Sequence, residues 1–170
     1  GYISYIRKWE LYEFKELMEM TGIEPILPEN VVQEGYAACM KNLNEIPSGY
    51  DIENIKELKE MTGIELAEEI VQEGYAACIR HRFLYGFEEL MKITGIKPTE
   101  KIVQEGYISY IRKDWLESLY KLMKITGIKP AVPEEIVQEK YATYIREEDL
   151  YNFEELMKIT GIKPTEKIVQ

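Results

Sequence analysis

Residues 87–104 read FEELMKITGIKPTEKIVQ, and residues 153–170 repeat those letters without change. Phe87, Leu90, Met91 and Thr94 continue an apolar stripe that begins at Leu84, at the spacing of one face of a helix. The stripe stops at Thr94-Gly95-Ile96-Lys97-Pro98. Gly95 stands where a left-handed residue closes a helix, Ile96 supplies the apolar contact back onto the last turn, and Pro98 blocks continuation. The same stop recurs at Gly127-Ile128-Lys129-Pro130 and Gly161-Ile162-Lys163-Pro164, and with Glu for Lys at Gly22-Ile23-Glu24-Pro25. A fifth, Gly63-Ile64-Glu65-Leu66, lacks the Pro. Successive glycines of this set are 41, 32, 32 and 34 residues apart.

A second helix precedes each stop. Val71, Gly74, Tyr75, Cys78 and Ile79 form its apolar stripe, and Arg80-His81-Arg82 turns the chain into the helix that Gly95 ends. Two helices joined by so short a turn lie antiparallel. Helix starts agree: Asp51, Asp114 and Asp149 stand where the second helix of a pair is N-capped, and Glu117 follows Asp114 as in a capping box. Glu88 and Glu89 open that helix and Lys92 closes it, complementing the helix dipole. Pro133-Glu134-Glu135 opens a first helix by the same logic.

The pair is therefore the repeating element. Tyr2, Tyr36, Tyr75, Tyr107 and Tyr141 share one position, and residues 1–8 (GYISYIRK) recur at 106–113. Repeats run over about 1–30, 31–69, 70–101, 102–135 and 136–167, and a sixth begins at 168–170. The first repeat lacks its opening Val-Gln-Glu, so the reading expects a segment of a longer array. One hairpin of this size cannot bury both of its stripes, whereas stacked hairpins can. The expected fold is all-α, a single array over 1–170: a solenoid of five antiparallel helix-turn-helix hairpins of about 32–39 residues. No strand pattern survives between the turns.

Composition narrows the function classes. Lys and Arg total 21 against 31 Asp and Glu, a formal charge of −10, which opposes non-specific attraction to nucleic acid or anionic membrane. One His and two Cys leave little for a His/Cys metal site or a disulfide framework. No run of about 18 apolar residues suggests a membrane span. A Gly-rich phosphate loop is missing, since the glycines are spread through the repeats. The expectation is a non-catalytic cytoplasmic protein with no cofactor and no metal.

Leu90-Met91-Lys92-Ile93-Thr94-Gly95-Ile96-Lys97-Pro98 resembles the end of a pentatricopeptide repeat, whose second helix closes with a similar Gly-Ile-Lys-Pro. The Tyr of the first helix, the Phe of the second and the boundary Pro are similar to the tetratricopeptide repeat. Both resemblances imply a superhelix of stacked hairpins. The pentatricopeptide likeness implies single-stranded RNA as ligand, one base per repeat, read by a residue early in the first helix and one at the end of the repeat. Those positions hold Gly35, Gly74, Gly106 and Lys140, and Asn30, Glu69, Lys101, Glu135 and Lys167. The tetratricopeptide likeness implies instead a concave groove for a protein segment.

Candidate binding residues follow from the repeat. Arg7, Lys41, Arg80, Arg112 and Arg146 occupy one position at the end of the first helix, and stacked they would form a stripe for a phosphate backbone or an acidic peptide. The bland alternative is that each stabilises its helix C-terminus and pairs with nearby carboxylates. Gln33, Gln72, Gln104, Gln138 and Gln170 form a second ladder, suited to a bound peptide backbone or to linking neighbouring repeats. His81 and Trp115 stand in the turns between the paired helices, the variable edge where solenoids often bind. The second repeat inserts Asn42 to Tyr50 there. Cys39 and Cys78 take a packing position held elsewhere by Tyr5, Tyr110 and Tyr144. The partner expected is a protein or peptide, with RNA as the alternative and end-to-end contact between copies in addition.

Overall fold

The computed structural model describes residues 1–169; Gln170, the last rung of the glutamine ladder, lies outside them. Among the described residues there are eleven α-helices and no strand. The first helices of the repeats are α1 (Tyr2–Arg7), α3 (Glu29–Glu45), α5 (Glu68–Arg80), α7 (Glu100–Arg112) and α9 (Glu134–Arg146). Their followers are α2 (Leu11–Thr21), α4 (Gly49–Thr62), α6 (Leu84–Thr94), α8 (Leu116–Thr126) and α10 (Leu150–Thr160), and α11 (Glu166–Val169) comes last.

The chain divides into two compact units, Gly1–Lys97 and Pro98–Gln170. In the first, α1 packs on α2, α3 on α4 and α5 on α6, while α3 lies between α1 and α5, and α4 against α6. In the second, α7 packs on α8 and α9 on α10; α9 also meets α7 and α11, and α10 meets α8. Within each unit the helices thus pack neighbour to neighbour.

The glycine stop forms as read. Gly22, Gly63, Gly95, Gly127 and Gly161 all have φ between 64° and 70°, the region that a Cβ disfavours. Each N–H returns to a carbonyl four residues back, as from Gly95 to Met91 at 2.9 Å. The Thr before each glycine adds a device that the sequence reading passed over. Thr94 Oγ1 donates to the Leu90 carbonyl at 2.7 Å and accepts from the Ile96 N–H at 3.2 Å. Thr21, Thr62, Thr126 and Thr160 do the same in their repeats. One hydroxyl therefore satisfies a carbonyl of the last turn and the first N–H beyond it.

Helix starts correct two of the three aspartate caps. Asp149 caps α10, accepting from the Asn152 N–H at 3.1 Å. Asp51 lies inside α4, whose cap is Ser48. Asp114 precedes the Trp115 cap of α8 and closes α7 instead, with φ 59°. Trp9, Arg82 and Glu148 share that left-handed position, at φ 61°, 56° and 58°. Beyond each, an N–H reaches back five residues: Glu10 to Tyr5, Phe83 to Cys78, Trp115 to Tyr110 and Asp149 to Tyr144, at 2.8–2.9 Å. The short turn is thus a second helix stop made without glycine. Pro133 also sits one place earlier than read, at the cap of α9. Of the inserted residues of the second repeat, Asn42 to Glu45 lengthen α3, and Gly49 and Tyr50 begin α4 after its Ser48 cap.

The core follows the stripes. Tyr36, Tyr75, Tyr107 and Tyr141 are fully buried, with Phe14, Phe87, Leu90, Leu119 and Leu122 among their company. Phe87 packs on Tyr75, and Phe153 on Tyr141, at ring-centroid distances of 4.7 Å. Burial raises these phenols above their ordinary range, Tyr36 to about 12. Cys39 and Cys78 are buried free thiols, and burial pushes both well up, Cys78 to about 12.

Candidate functional site

The exposed face of the first unit is set by α3 and α5. Ala37, Lys41 and Asn44 recur at helical spacing on the side of α3 opposite its buried Val32, Tyr36 and Cys39. Small residues there leave a hollow. With Ala76, Glu73 and Arg80 of α5 they line a cleft of 280 Å³, floored by Ala37, Ala76 and Met40. Lys41, Asn44 and Arg80 hold one end and Glu73 the other. A second shallow hollow lies along α3 over Glu29, Asn30, Gln33, Glu34 and Ala37.

The basic ladder is only partly collected here. Lys41 and Arg80 meet at the cleft. Arg80 donates to Asn44 Oδ1 through one guanidinium nitrogen. His81, just past the end of α5, sets Nε2 2.7 Å from the Asn44 carbonyl, so Asn44 ties α3 to the turn after α5. Asn44 was passed over in the sequence reading, although its i+7 spacing from Ala37 placed it on the same face. Arg7 lies elsewhere, pairing with Glu34 in the bland manner weighed for this ladder. Arg112 and Arg146 end α7 and α9 in the second unit; both are exposed, and Arg146 reaches Thr143 of its own helix at 3.3 Å.

The glutamine ladder turns inward, onto backbone. Gln72 Nε2 donates to the Lys97 carbonyl at 2.8 Å. Gln104 donates to the Lys129 carbonyl at 2.8 Å and accepts from the Ala131 N–H at 2.8 Å. Gln138 repeats this with Lys163 and Thr165, and Gln33 with Glu65 and Ala67. Each pair of bonds mimics a strand partner for the segment that leads from one repeat to the next. The tyrosine of the same helix fastens that segment a second time, as Tyr107 Oη does to the Ile128 carbonyl at 2.7 Å.

Trp115 is half-buried at the start of α8, edge-on to Tyr110 at 6.0 Å, with Lys113 Nζ 4.6 Å from its ring centre. Beside it lies a polar cluster absent from the sequence reading. Asp114 accepts from Lys140 Nζ at 2.7 Å and from Tyr144 Oη at 2.8 Å. Burial, then the bond to Asp114, raises the Tyr144 phenol far above its usual range. Lys140 replaces the glycine of the other repeats, and its charge answers an aspartate that has moved from helix cap to helix stop.

Among the described residues no group of three or more His, Cys, Asp or Glu could hold a metal ion, and no helix is long and apolar enough to cross a membrane. Comparison of the chain with family models, with curated proteins and with solved structures found no match.

Proposed function

We propose that the chain is a non-catalytic helical-repeat scaffold that binds a protein or peptide segment. In this reading the paired helices are antiparallel hairpins stacked as a solenoid of the tetratricopeptide kind. The observation that carries it is the cleft between α3 and α5, with its alanine floor and its basic and acidic ends. A floor of small side chains lets another chain approach closely, and charges at opposite ends orient it. The cleft lies on two packed helices and not on a loop, so little backbone ordering accompanies binding.

The RNA alternative draws on the same cations. It is weaker because Arg7 is matched to Glu34, Arg80 to Asn44, and the net charge is −10. A displayed random-peptide library tests the first reading. Enriched peptides whose binding is lost in Ala76→Trp, and reversed in charge preference by Lys41→Glu with Arg80→Glu, support it. Absence of any enriched peptide overturns it. A random single-stranded RNA pool at about 50 and about 200 mM salt is the parallel arm, since phosphate contacts give a steep salt slope.

A further inference from the structure

The residues inserted in the second repeat reshape the cleft between α3 and α5. Helices α5, α7 and α9 end at Arg80, Arg112 and Arg146, the position that Lys41 holds in α3. Helix α3 instead runs one turn further, through Asn42 to Glu45. That added turn carries Asn44, whose Oδ1 accepts from an Arg80 guanidinium nitrogen and whose carbonyl lies 2.7 Å from His81 Nε2. The insertion therefore lays Arg80 along the cleft beside Lys41. The floor is equally local. Ala37 and Ala76 share a repeat position that holds Ile3 in α1 and Ile108 in α7. Among the first helices that pack on each other within a unit, α3 and α5 are the pair with alanine on both.

The charges of this cleft are largely unpaired. Among the described residues neither Lys41 nor Glu73 has a hydrogen-bond or ion-pair partner, and the Asn44 amide nitrogen has none. Arg80 uses one guanidinium nitrogen on Asn44 and keeps the rest of its donors. Glu73 and Arg80 stand on one face of α5, about 10 Å apart along the axis. Ala37 also lines the shallow hollow over Glu29 and Asn30, so the negative end of the path extends along α3. A polyanion would meet cations at one end of this path and carboxylates at the other.

We infer that the inserted turn makes this cleft selective for a dipolar stretch of extended protein chain. An acidic side chain sits between Lys41 and Arg80, and a basic one about 10 Å away sits on Glu73. In an extended chain of the polyproline kind, side chains three residues apart face one way and lie about 9 Å apart. The recognised pattern is therefore Glu-x-x-Lys, read in either direction, with small side chains at x so that the backbone settles on Ala37 and Ala76. Asn44 acts through Arg80, as a positioning residue. This inference rests on the reading of the cleft as a peptide site.

Fluorescence polarisation of labelled dodecapeptide pools, titrated with the full chain, tests it. The pools carry Glu-x-x-Lys, Glu-x-x-Glu, Lys-x-x-Lys or an adjacent Glu-Lys, with every other position drawn from Ala, Ser and Pro. The Glu-x-x-Lys pool should bind about fivefold tighter than each of the others, as one more surface ion pair allows. Glu73→Lys should move the preference to Glu-x-x-Glu, and Lys41→Glu with Arg80→Glu should move it to Lys-x-x-Lys. Asn44→Ala should weaken the pools that contain Glu and leave Lys-x-x-Lys unchanged, with helical circular dichroism retained; lost packing alone would weaken all pools alike. Binding of no pool overturns the peptide site and this inference with it. Equal binding of the Glu-x-x-Glu or adjacent Glu-Lys pool, or a preference unmoved by Glu73→Lys, overturns the inference and leaves the peptide site standing. Unaltered binding in Asn44→Ala overturns the role of the inserted turn.

Discussion

Gln104 Nε2 lies 2.8 Å from the Lys129 carbonyl oxygen, and its Oε1 lies 2.8 Å from the Ala131 nitrogen. One side chain of α7 thereby pairs with a backbone segment twenty-five residues further on, as a neighbouring strand would. Replacing Gln104 by Ala removes both bonds and leaves two backbone groups to find water. Unfolding in urea should show a loss of about 1–3 kcal/mol. Gln104→Glu keeps the acceptor and turns a donor into a second acceptor, and it should cost at least as much. A Gln104→Ala chain as stable as the parent would reopen the ladder as a partner-binding surface.

Glu148 is exposed and left-handed, φ 58°, and its side chain has no partner among the described residues. An L side chain in that region costs about 1–2 kcal/mol, and glycine escapes the cost while losing some entropy on folding. Glu148→Gly should therefore raise the melting temperature, and Glu148→Val should lower it. Asp114 at the equivalent place holds Lys140 and Tyr144, so Asp114→Gly should gain nothing. Thermal melts of the three variants check the contrast.

Asp51 is a buried carboxyl whose pKa is raised by burial, against the bond donated by Trp9 Nε1 at 3.0 Å, which lowers it. A carboxyl raised in the folded state binds its proton more tightly there than in the unfolded chain. Its stabilising contribution is therefore fullest below the unfolded pKa of about 4 and is lost as pH rises through the folded value. Asp51→Asn keeps an acceptor for Trp9 and has no proton to lose. Stability of the parent relative to this variant should fall as pH is raised from the acid side toward neutrality. A pH-independent difference would show that the charge of Asp51 is not desolvated.

Cys39 and Cys78 are buried, with thiol pKa values pushed well up, so the thiolate that reacts is scarce in the folded chain. A thiol reagent at mildly alkaline pH should label both slowly, and both at once in strong urea. Cys39→Tyr, although Tyr fills this position in three other repeats, should destabilise, because Cys39 Sγ lies 3.7 Å from the Asp51 carbonyl in a site shaped by the longer α3. Denaturant titration measures that loss.

How far the sequence could be read depended on the reach of each interaction. The stop at Thr94-Gly95-Ile96 was legible because it closes within six residues, and the buried stripes of Val71, Tyr75 and Cys78 were legible because helical spacing alone assigns a face. The aspartates misled where a distant group competed for them. Asp51 answers Trp9 from forty-two residues away, and Asp114 answers Lys140 and Tyr144. Among the site residues, the four Arg positions were placed at helix ends as they stand, whereas Lys41, read as a helix end, lies inside α3 because the inserted residues carry that helix on to Glu45; the division of the cations between Glu34, Asn44 and the open cleft was not visible.

The sequence by itself determined the helices, their stops and their inward faces, since backbone conformation and apolar periodicity are set by residues close along the chain. Only the tertiary structure decided what each polar side chain holds and which apolar ones stay bare. Ile111 and Ile145 occupy the same position with the same residue, yet one is buried and the other is not. Burial is a property of what lies across the gap, and no local pattern records that.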